Sequence, residues 1–290
     1  RPRTAIFTSC EFDHADIYRD TAHYESSFER LMEILPEDGL VLACASTEAP
    51  ARIARKARCR VETYSARPEV EADWKAEILA TGEEGLRIRI LRRDEPLLEG
   101  LLPMGGRHNV ENALAAVAAS LARGADPQRL AAGLSSFRGV RRRQELRGEV
   151  RGIRVIDDFA HHPTAVKETI AAVRAFPPGR RLVAAFEPRS NTSRRSLHQA
   201  AYAESFDEAD RVLIQVPLPH DRVPEAERLD APALAARIAA RGPRATAHES
   251  ADEILTSLVE ESRAGDVVLV MSNGAFGGLV DRLLAALSKA

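Results

Sequence analysis

From residue 153 onward, short apolar runs alternate with amphipathic stretches of helical length, and this alternation constrains the fold more than any other feature of the sequence. Ile153–Ile156, Arg181–Ala185, Val212–Val216, Ala245–His248 and Val267–Met271 read as strands. Pro163–Ala175, Ser196–Phe206, Ala231–Arg241, Ala251–Ser262 and Gly278–Leu287 read as helices. Strands that alternate with helices of this length predict an α/β domain with a mostly parallel sheet covered on both faces. Such sheets bind ligands at the carboxyl ends of their strands. The loops after Ile156, Ala185 and Met271 are therefore the places to search for a site.

The first half is patterned differently. Arg3–Thr8 and Leu40–Ala45 predict buried strands, and Phe28, Leu31, Met32 and Leu35 give Ala22–Leu35 a helical spacing. Arg60–Tyr64, Trp74–Leu79 and Leu86–Leu91 predict shorter strands, antiparallel in character. Asn109–Arg123 is the strongest helix, with Val110, Ala113, Leu114, Val117, Ala118 and Leu121 on one face and Gly124 where a C-cap belongs. Asp126 is a candidate N-cap for a helix from Pro127. The basic run from Phe137 to Glu145 separates the two patterns, and the domain boundary is placed there, giving residues 1–143 and 144–290.

A length of 290 residues suits two domains. Lys plus Arg number 41 and Asp plus Glu 43, a net charge of −2, which gives no reason to expect nucleic-acid or membrane-surface binding by the whole chain. Three cysteines, Cys10, Cys44 and Cys59, are too few and too scattered for a metal cage or a disulfide framework. No apolar run approaches the roughly 20 residues that span a bilayer, and no signal-peptide pattern opens the chain. The expected location is the cytoplasm.

Five polar constellations follow predicted strands or open predicted helices. Glu11, Asp13, His14 and Asp16 lie within six residues, a donor set that suits Mg²⁺ or Mn²⁺ or, equally, a solvated acidic turn in which Asp16 caps the next helix. Asn109 and Asn112 share a helix face, where carboxamides suit an adenine edge, although Asn109 after two glycines also suits a simple cap. Asp157-Asp158-Phe159-Ala160-His161-His162 ends a strand, downstream of Arg141-Arg142-Arg143, which is either a solvated face or a phosphate-reaching group. Phe186–Thr192 and Met271–Gly278 end two more strands, and the glycines of the latter permit close backbone approach, anion binding or an ordinary tight turn.

Taken in order, EFDHADIYRD, GRHNVENALAA, FRGVRRRQELRGE, DDFAHHPT, FEPRSNT and MSNGAFGG resemble the Mur ligase family of ATP-dependent amide-bond ligases, over nearly the whole chain. EFDHADIYRD, FEPRSNT and MSNGAFGG narrow the resemblance to the murein peptide ligase branch. That branch joins UDP-N-acetylmuramate to the tripeptide L-alanyl-γ-D-glutamyl-meso-diaminopimelate in cell-wall recycling. The UDP-N-acetylmuramate–L-alanine ligases share DDxxHHPT and resemble the other segments less. The implied fold is an incomplete central ATP-binding domain followed by a Rossmann-like C-terminal domain, and the implied ligands are ATP and Mg²⁺. The resemblance implies that His14 binds a second divalent metal, with Glu11 and Asp13 shaping that site. It implies that Asn109 and Asn112 hold adenine and that Arg143 reaches the transferring phosphate. Asp158 would contact the nucleotide beside His161, and Arg189, Ser190 and Asn191 would bind the incoming peptide. The implied reaction uses ATP to turn the muramoyl carboxylate into an acyl phosphate that the peptide amine attacks, with catalysis by positioning and charge neutralisation.

The sequence departs from the family pattern in one chemical essential. Its four lysines, Lys56, Lys75, Lys167 and Lys289, all lie outside any Gly-Lys-Ser/Thr phosphate-binding loop, and the family's N-terminal UDP-binding domain is missing. Nor does a lysine occur between His14 and Leu35, so the carbamylated lysine of some members is not carried over. The expectation is the carboxyl-terminal part of a longer ligase, or a non-catalytic truncated module. By itself the chain should then release no phosphate from ATP when given Mg²⁺, UDP-N-acetylmuramate and tripeptide. Turnover on the order of 1 s⁻¹, ordinary for an enzyme, would contradict this.

Overall fold

The computed structural model describes residues 1–82, 84–175, 179–218 and 223–289. The contacts divide it into two compact units, Arg1–Arg138 and Gly139–Ala290.

Among the described residues, the first unit is built on a six-stranded sheet in simple sequential order. β1 (Thr4–Phe7), β2 (Leu40–Cys44) and β3 (Arg60–Ser65) run parallel, with Thr4 opposite Leu40 and Leu40 opposite Arg60. β4 (Trp74–Gly82), β5 (Gly85–Arg92) and β6 (Glu95–Leu102) form an antiparallel meander. β4 pairs with β3 in parallel through Tyr64–Trp74 and Ser65–Lys75, so Arg60–Tyr64, expected to be antiparallel, is parallel to both neighbours and the meander begins at β4. The alternation read in Leu86–Leu91 is the one-sided burial of β5. Glu95–Leu102 carries a weaker pattern, because Leu97 and Glu99 face outward, and sequence reading passes over it as it does over the seven-residue helix α2 (Glu48–Ala54).

Two helical layers cover this sheet. α1 (Thr21–Glu33) begins at Asp20, whose side chain accepts from the His23 amide at 2.7 Å. Asp20, not Asp16, is therefore the cap of this helix. α3 (Arg107–Ala122) buries Val110, Leu114, Val117 and Ala118 against Leu42, Tyr64, Trp74 and Ile88. α4 (Pro127–Ser135) is capped by Asp126, as its sequence predicts.

The second unit holds the predicted parallel sheet, with strand order β11-β10-β9-β12-β8-β7. β8 (Ile153–Asp158), β9 (Leu182–Phe186), β10 (Arg211–Gln215), β11 (Arg244–His248) and β12 (Val267–Met271) are parallel. β7 (Glu145–Val150) adds an antiparallel edge. Its charged, half-exposed sequence hides it from hydropathy. β9 and β12 are buried throughout, as strands covered on both faces must be. α5 (Pro163–Ala175), α6 (Gln199–Ser205) and α7 (Ala231–Ala239) cover one face, and α8 (Ala251–Glu261) and α9 (Leu279–Lys289) the other. The Pro-rich loop expected after Val216 falls partly at residues 219–222, outside the described residues. No described helix is long and apolar enough to cross a membrane.

One buried ion pair ties β10 to α8. The Arg211 guanidinium, 3% exposed, donates to both carboxylate oxygens of Glu261 at 2.9 and 3.0 Å. These bonds hold the Glu261 carboxyl below its usual range, against the opposing effect of its own burial. Because the folded value lies below the unfolded one, the pair stabilises the fold above the ordinary carboxylate range and loses this effect as pH falls through the depressed value. Glu261→Gln should cost on the order of 2 kcal/mol at pH 7, since it strands a buried cation beside a partly exposed partner. Urea unfolding at pH 7 and pH 3 should show the wild-type advantage shrinking in acid.

Candidate functional site

In the first unit the polar groups gather at the carboxyl ends of β1, β2 and β3. Gly106, at φ +93°, caps α3 with backbone alone. Asn109 is therefore inside the first turn and not the cap itself. Its Nδ2 donates to Gly105 O at 2.8 Å, which leaves Oδ1 as an acceptor. Asn112 stands one turn further along, exposed, and its carboxamide makes no hydrogen bond among the described residues. One oriented acceptor and one open carboxamide on the same helix face fit the donor–acceptor edge of a purine.

Half-buried side-chain bonds fix the start of this helix. Glu111 accepts from Ser46 Oγ just beyond β2, and Ser46 Oγ meets Ser65 Oγ at the end of β3 at 2.7 Å. Burial pushes the Cys44 thiol up, and the Glu111 carboxylate beside it adds to the shift. The thiol is a neutral wall of this network. Arg107 closes the other side, donating to Ala66 O at 3.1 Å.

The acidic turn after β1 is looser. His14 sits at φ +56° with its side chain 61% exposed, and its Nε2 lies 4.0 Å from Asp13 Oδ2. Glu11 and Asp13 are half-buried. Among the described residues, no group of three or more His, Cys, Asp or Glu side chains comes together to hold a metal. Asp13 and His14 thus offer a partial donor set, which fits an ion that takes its remaining ligands from water or phosphate oxygens. Burial, with Glu25 nearby, raises the Cys10 thiol to about 11, so it supplies no thiolate here at neutral pH.

In the second unit, the ends of β8 and β12 meet one arginine. Arg142, at φ +57°, donates from Nη2 to the carbonyls of Ser272 and Gly274, the latter at 2.8 Å. Its Nε lies 3.4 Å from Asp157 at the end of β8, and its guanidinium covers the Phe159 ring at 5.3 Å. Arg143, exposed, places its own guanidinium 5.3 Å from the same ring. Asp158 is buried and accepts from the backbone amides of Gln144 and Ala160, both at 2.7 Å. These bonds join the turn before β7 to the strand end, so the carboxylate orders backbone. His161 Nδ1 pairs with Phe159 O at 3.0 Å, and Tyr202 Oη donates to His161 O.

Beyond β9 and β12 lies a cationic corner. Buried Glu187 accepts from Ser272 Oγ and receives a long contact, 3.4 Å, from Arg189 Nη1. Arg194 stands near the same pair. Burial lowers its pKa, the Arg189 charge lowers it further, and Glu187 opposes both. The buried Nε of Arg194 has no hydrogen-bond partner among the described residues. Arg189 is thus the cation in contact with Glu187, and the second guanidinium, Arg194, adds positive charge to the same corner. Ser190 builds the turn between them, its Oγ accepting from the Ser193 amide and donating to Ser193 Oγ, both at 2.9 Å, while Asn191 lies half-buried beside it.

Sequence reading selects Arg143, Asp158, His161, Arg189, Ser190 and Asn191 in this unit and misses Arg142, Glu187, Arg194, Ser272 and Gly274. Position holds a signal for two of these. Glu187 and Ser272 are the first polar residues after wholly apolar strands, at matching levels on neighbouring strands. The choice of Arg142 within the arginine triplet depends on the turn geometry and has no sequence signal.

Comparison with known proteins gives a consistent result. A family described as the Mur ligase middle domain matches residues 1–120, and one described as the Mur ligase glutamate ligase domain matches residues 142–274. The UDP-N-acetylmuramate–L-alanyl-γ-D-glutamyl-meso-2,6-diaminoheptandioate ligase of Escherichia coli K12 is 35% identical over 99% of the chain. The UDP-N-acetylmuramate–L-alanine ligase of Symbiobacterium thermophilum is also 35% identical over 99%. The crystal structure of a murein peptide ligase from Psychrobacter arcticus superposes with a TM-score of 0.68 and 31% identity, covering 100% of the chain and 58% of that protein. The chain spans 60% of the length of each of the two sequence relatives.

Because Arg142 satisfies carbonyls that otherwise face away from any strand partner, Arg142→Ala should destabilise the fold by about 2 kcal/mol. Hydrogen exchange at the Gly274 amide should accelerate with it. Unchanged exchange at that amide would show that the loop holds itself.

Proposed function

The chain belongs to the Mur ligase family, carrying its middle and glutamate ligase domains, and on that premise we propose that it supplies the nucleotide- and peptide-handling parts of an ATP-dependent ligase joining UDP-N-acetylmuramate to L-alanyl-γ-D-glutamyl-meso-diaminopimelate. The observation that carries this reading is the half-exposed Arg189 guanidinium beyond β9, 3.4 Å from the buried Glu187 carboxylate, with the Arg194 charge close by. The tripeptide bears several carboxylates where L-alanine bears a single one. A corner with two guanidiniums near one carboxylate favours the larger, more anionic amine. That feature supports the tripeptide over L-alanine, although ligases for both amines are equally similar in sequence.

In this reading residues 1–143 handle nucleotide and metal, and residues 144–290 handle peptide. Asn109 and Asn112 take the adenine edge, held in register by the Glu111–Ser46–Ser65 bonds. His14 and Asp13, with Glu11 beside them, supply the protein's share of an Mg²⁺ shell. ATP, when bound, supplies the phosphate that activates the muramoyl carboxylate toward the peptide amine. Arg143 is the cation assigned to that phosphate, carried on a turn that Asp158 orders from below, with His161 alongside. Arg189, with Ser190 and Asn191 shaping its turn, binds a carboxylate of the peptide and so aligns the amine.

Two kinetic experiments on the intact ligase test this reading. Arg189→Lys keeps the charge and loses the planar fork, so the KM for tripeptide should rise roughly tenfold while that for ATP stays constant. Equal losses for both substrates would mark Arg189 as structural. Asn112→Ala should weaken ATP by about 1–3 kcal/mol, and His14→Ala should raise the Mg²⁺ requirement. Unchanged ATP and Mg²⁺ dependence in both variants would remove the first unit from the nucleotide site.

A further inference from the structure

Gly274 occupies a place on the rim where a side chain has no room. A Cβ built there overlaps Cδ and Nε of Arg189 and stands 2.7 Å from its Cζ. Gly274 is not among the residues at positive φ, so its backbone is open to alanine. The obstructing atoms all belong to one flexible side chain. The missing methyl therefore serves the placement of Arg189 and not the path of the chain.

The loop around this gap is fixed from both sides. Arg142 holds the carbonyls of Ser272 and Gly274. Ser272 Oγ accepts from the Gly274 amide at 2.8 Å and donates to Glu187. One hydroxyl thus fixes both the carboxylate that faces Arg189 and the gap that receives the arginine stem. Arg189 itself is 45% exposed and touches Glu187 only at 3.4 Å, too long for a strong charge-assisted bond. Its direction comes from the slot more than from its ion pair.

We propose that Gly274 is the positioning residue for Arg189: its bare Cα forms the slot along which the arginine stem lies, so that the guanidinium is presented to a carboxylate of the incoming amine substrate. The functional half of this statement rests on the role proposed above for Arg189; the geometric half does not.

The test compares Gly274→Ala, Arg189→Ala and the double variant with the wild-type chain. Crystal structures and thermal melts are recorded for each, together with calorimetric titration of L-alanyl-γ-D-glutamyl-meso-diaminopimelate. Gly274→Ala should displace the guanidinium from its place beside Glu187 at an unchanged melting temperature. It should also weaken tripeptide binding roughly tenfold to a hundredfold, as Arg189→Ala does. The double variant should bind no worse than Arg189→Ala, because both changes remove the same contact. The inference is overturned if Arg189 keeps its place in Gly274→Ala, or if that variant binds tripeptide like the wild type while Arg189→Ala does not. If Arg189→Ala binds normally or the wild-type chain does not bind, yet alanine at 274 still displaces the guanidinium, the positioning role stands and the peptide role of Arg189 falls.

Discussion

A parallel sheet ends in backbone carbonyls that no neighbouring strand satisfies, and in the second unit Arg142 meets two of them. Its Nη2 donates to both Ser272 O and Gly274 O while Nε faces Asp157, so the planar fork spans the loop after β12 and the end of β8 at once. The residue reaches this place because the turn before β7 twists through left-handed conformations at Arg142 and Gln144. Asp158 holds that turn down through the Gln144 amide. With the turn in place, Ser272 is free to orient Glu187, and Glu187 faces the arginines beyond β9. If Arg142 lets go, the loop that carries Ser272 and Gly274 loses its anchor.

The two units use the same device in different chemistry. In each, a carboxylate, half-buried Glu111 or buried Glu187, accepts from a serine hydroxyl just beyond a strand. The bond leaves a neighbouring polar group facing outward: the Asn112 carboxamide in one unit and the Arg189 guanidinium in the other. Rigid acceptors inside and adaptable donors outside make a site that holds its geometry before a ligand arrives, which is what reactions limited by positioning require.

The sequence shows the second unit's architecture well, because strand and helix periods differ sharply and each apolar run is as long as one buried strand. It shows the first unit's antiparallel meander less well. Glu95–Leu102 mixes exposed and buried leucines, and the helix Glu48–Ala54 is too short for a periodic signal. Residue types point to the loops after β1, β8, β9 and β12, and the structure places polar groups at each of them. They do not reveal the division of labour inside a loop. Arg142 and Arg143 are adjacent and identical, yet one is built into the loop framework and the other lies exposed over Phe159. Asp158 looks like a ligand group in sequence, and what the sequence does not show is that it also accepts two backbone amides that order the turn before β7. Asp16 looks like the helix cap, and Asp20 takes that part because the turn at His14 delays the helix by four residues.

The proposed peptide role of the corner at Arg189 and Arg194 is open to one direct observation, a crystal structure of this chain with L-alanyl-γ-D-glutamyl-meso-diaminopimelate. The expected result is a peptide carboxylate about 2.7–2.9 Å from the Arg189 guanidinium, with the Arg194 guanidinium facing it. A peptide bound with its carboxylates turned away from both arginines, or bound only elsewhere on the chain, would contradict the role assigned to this corner.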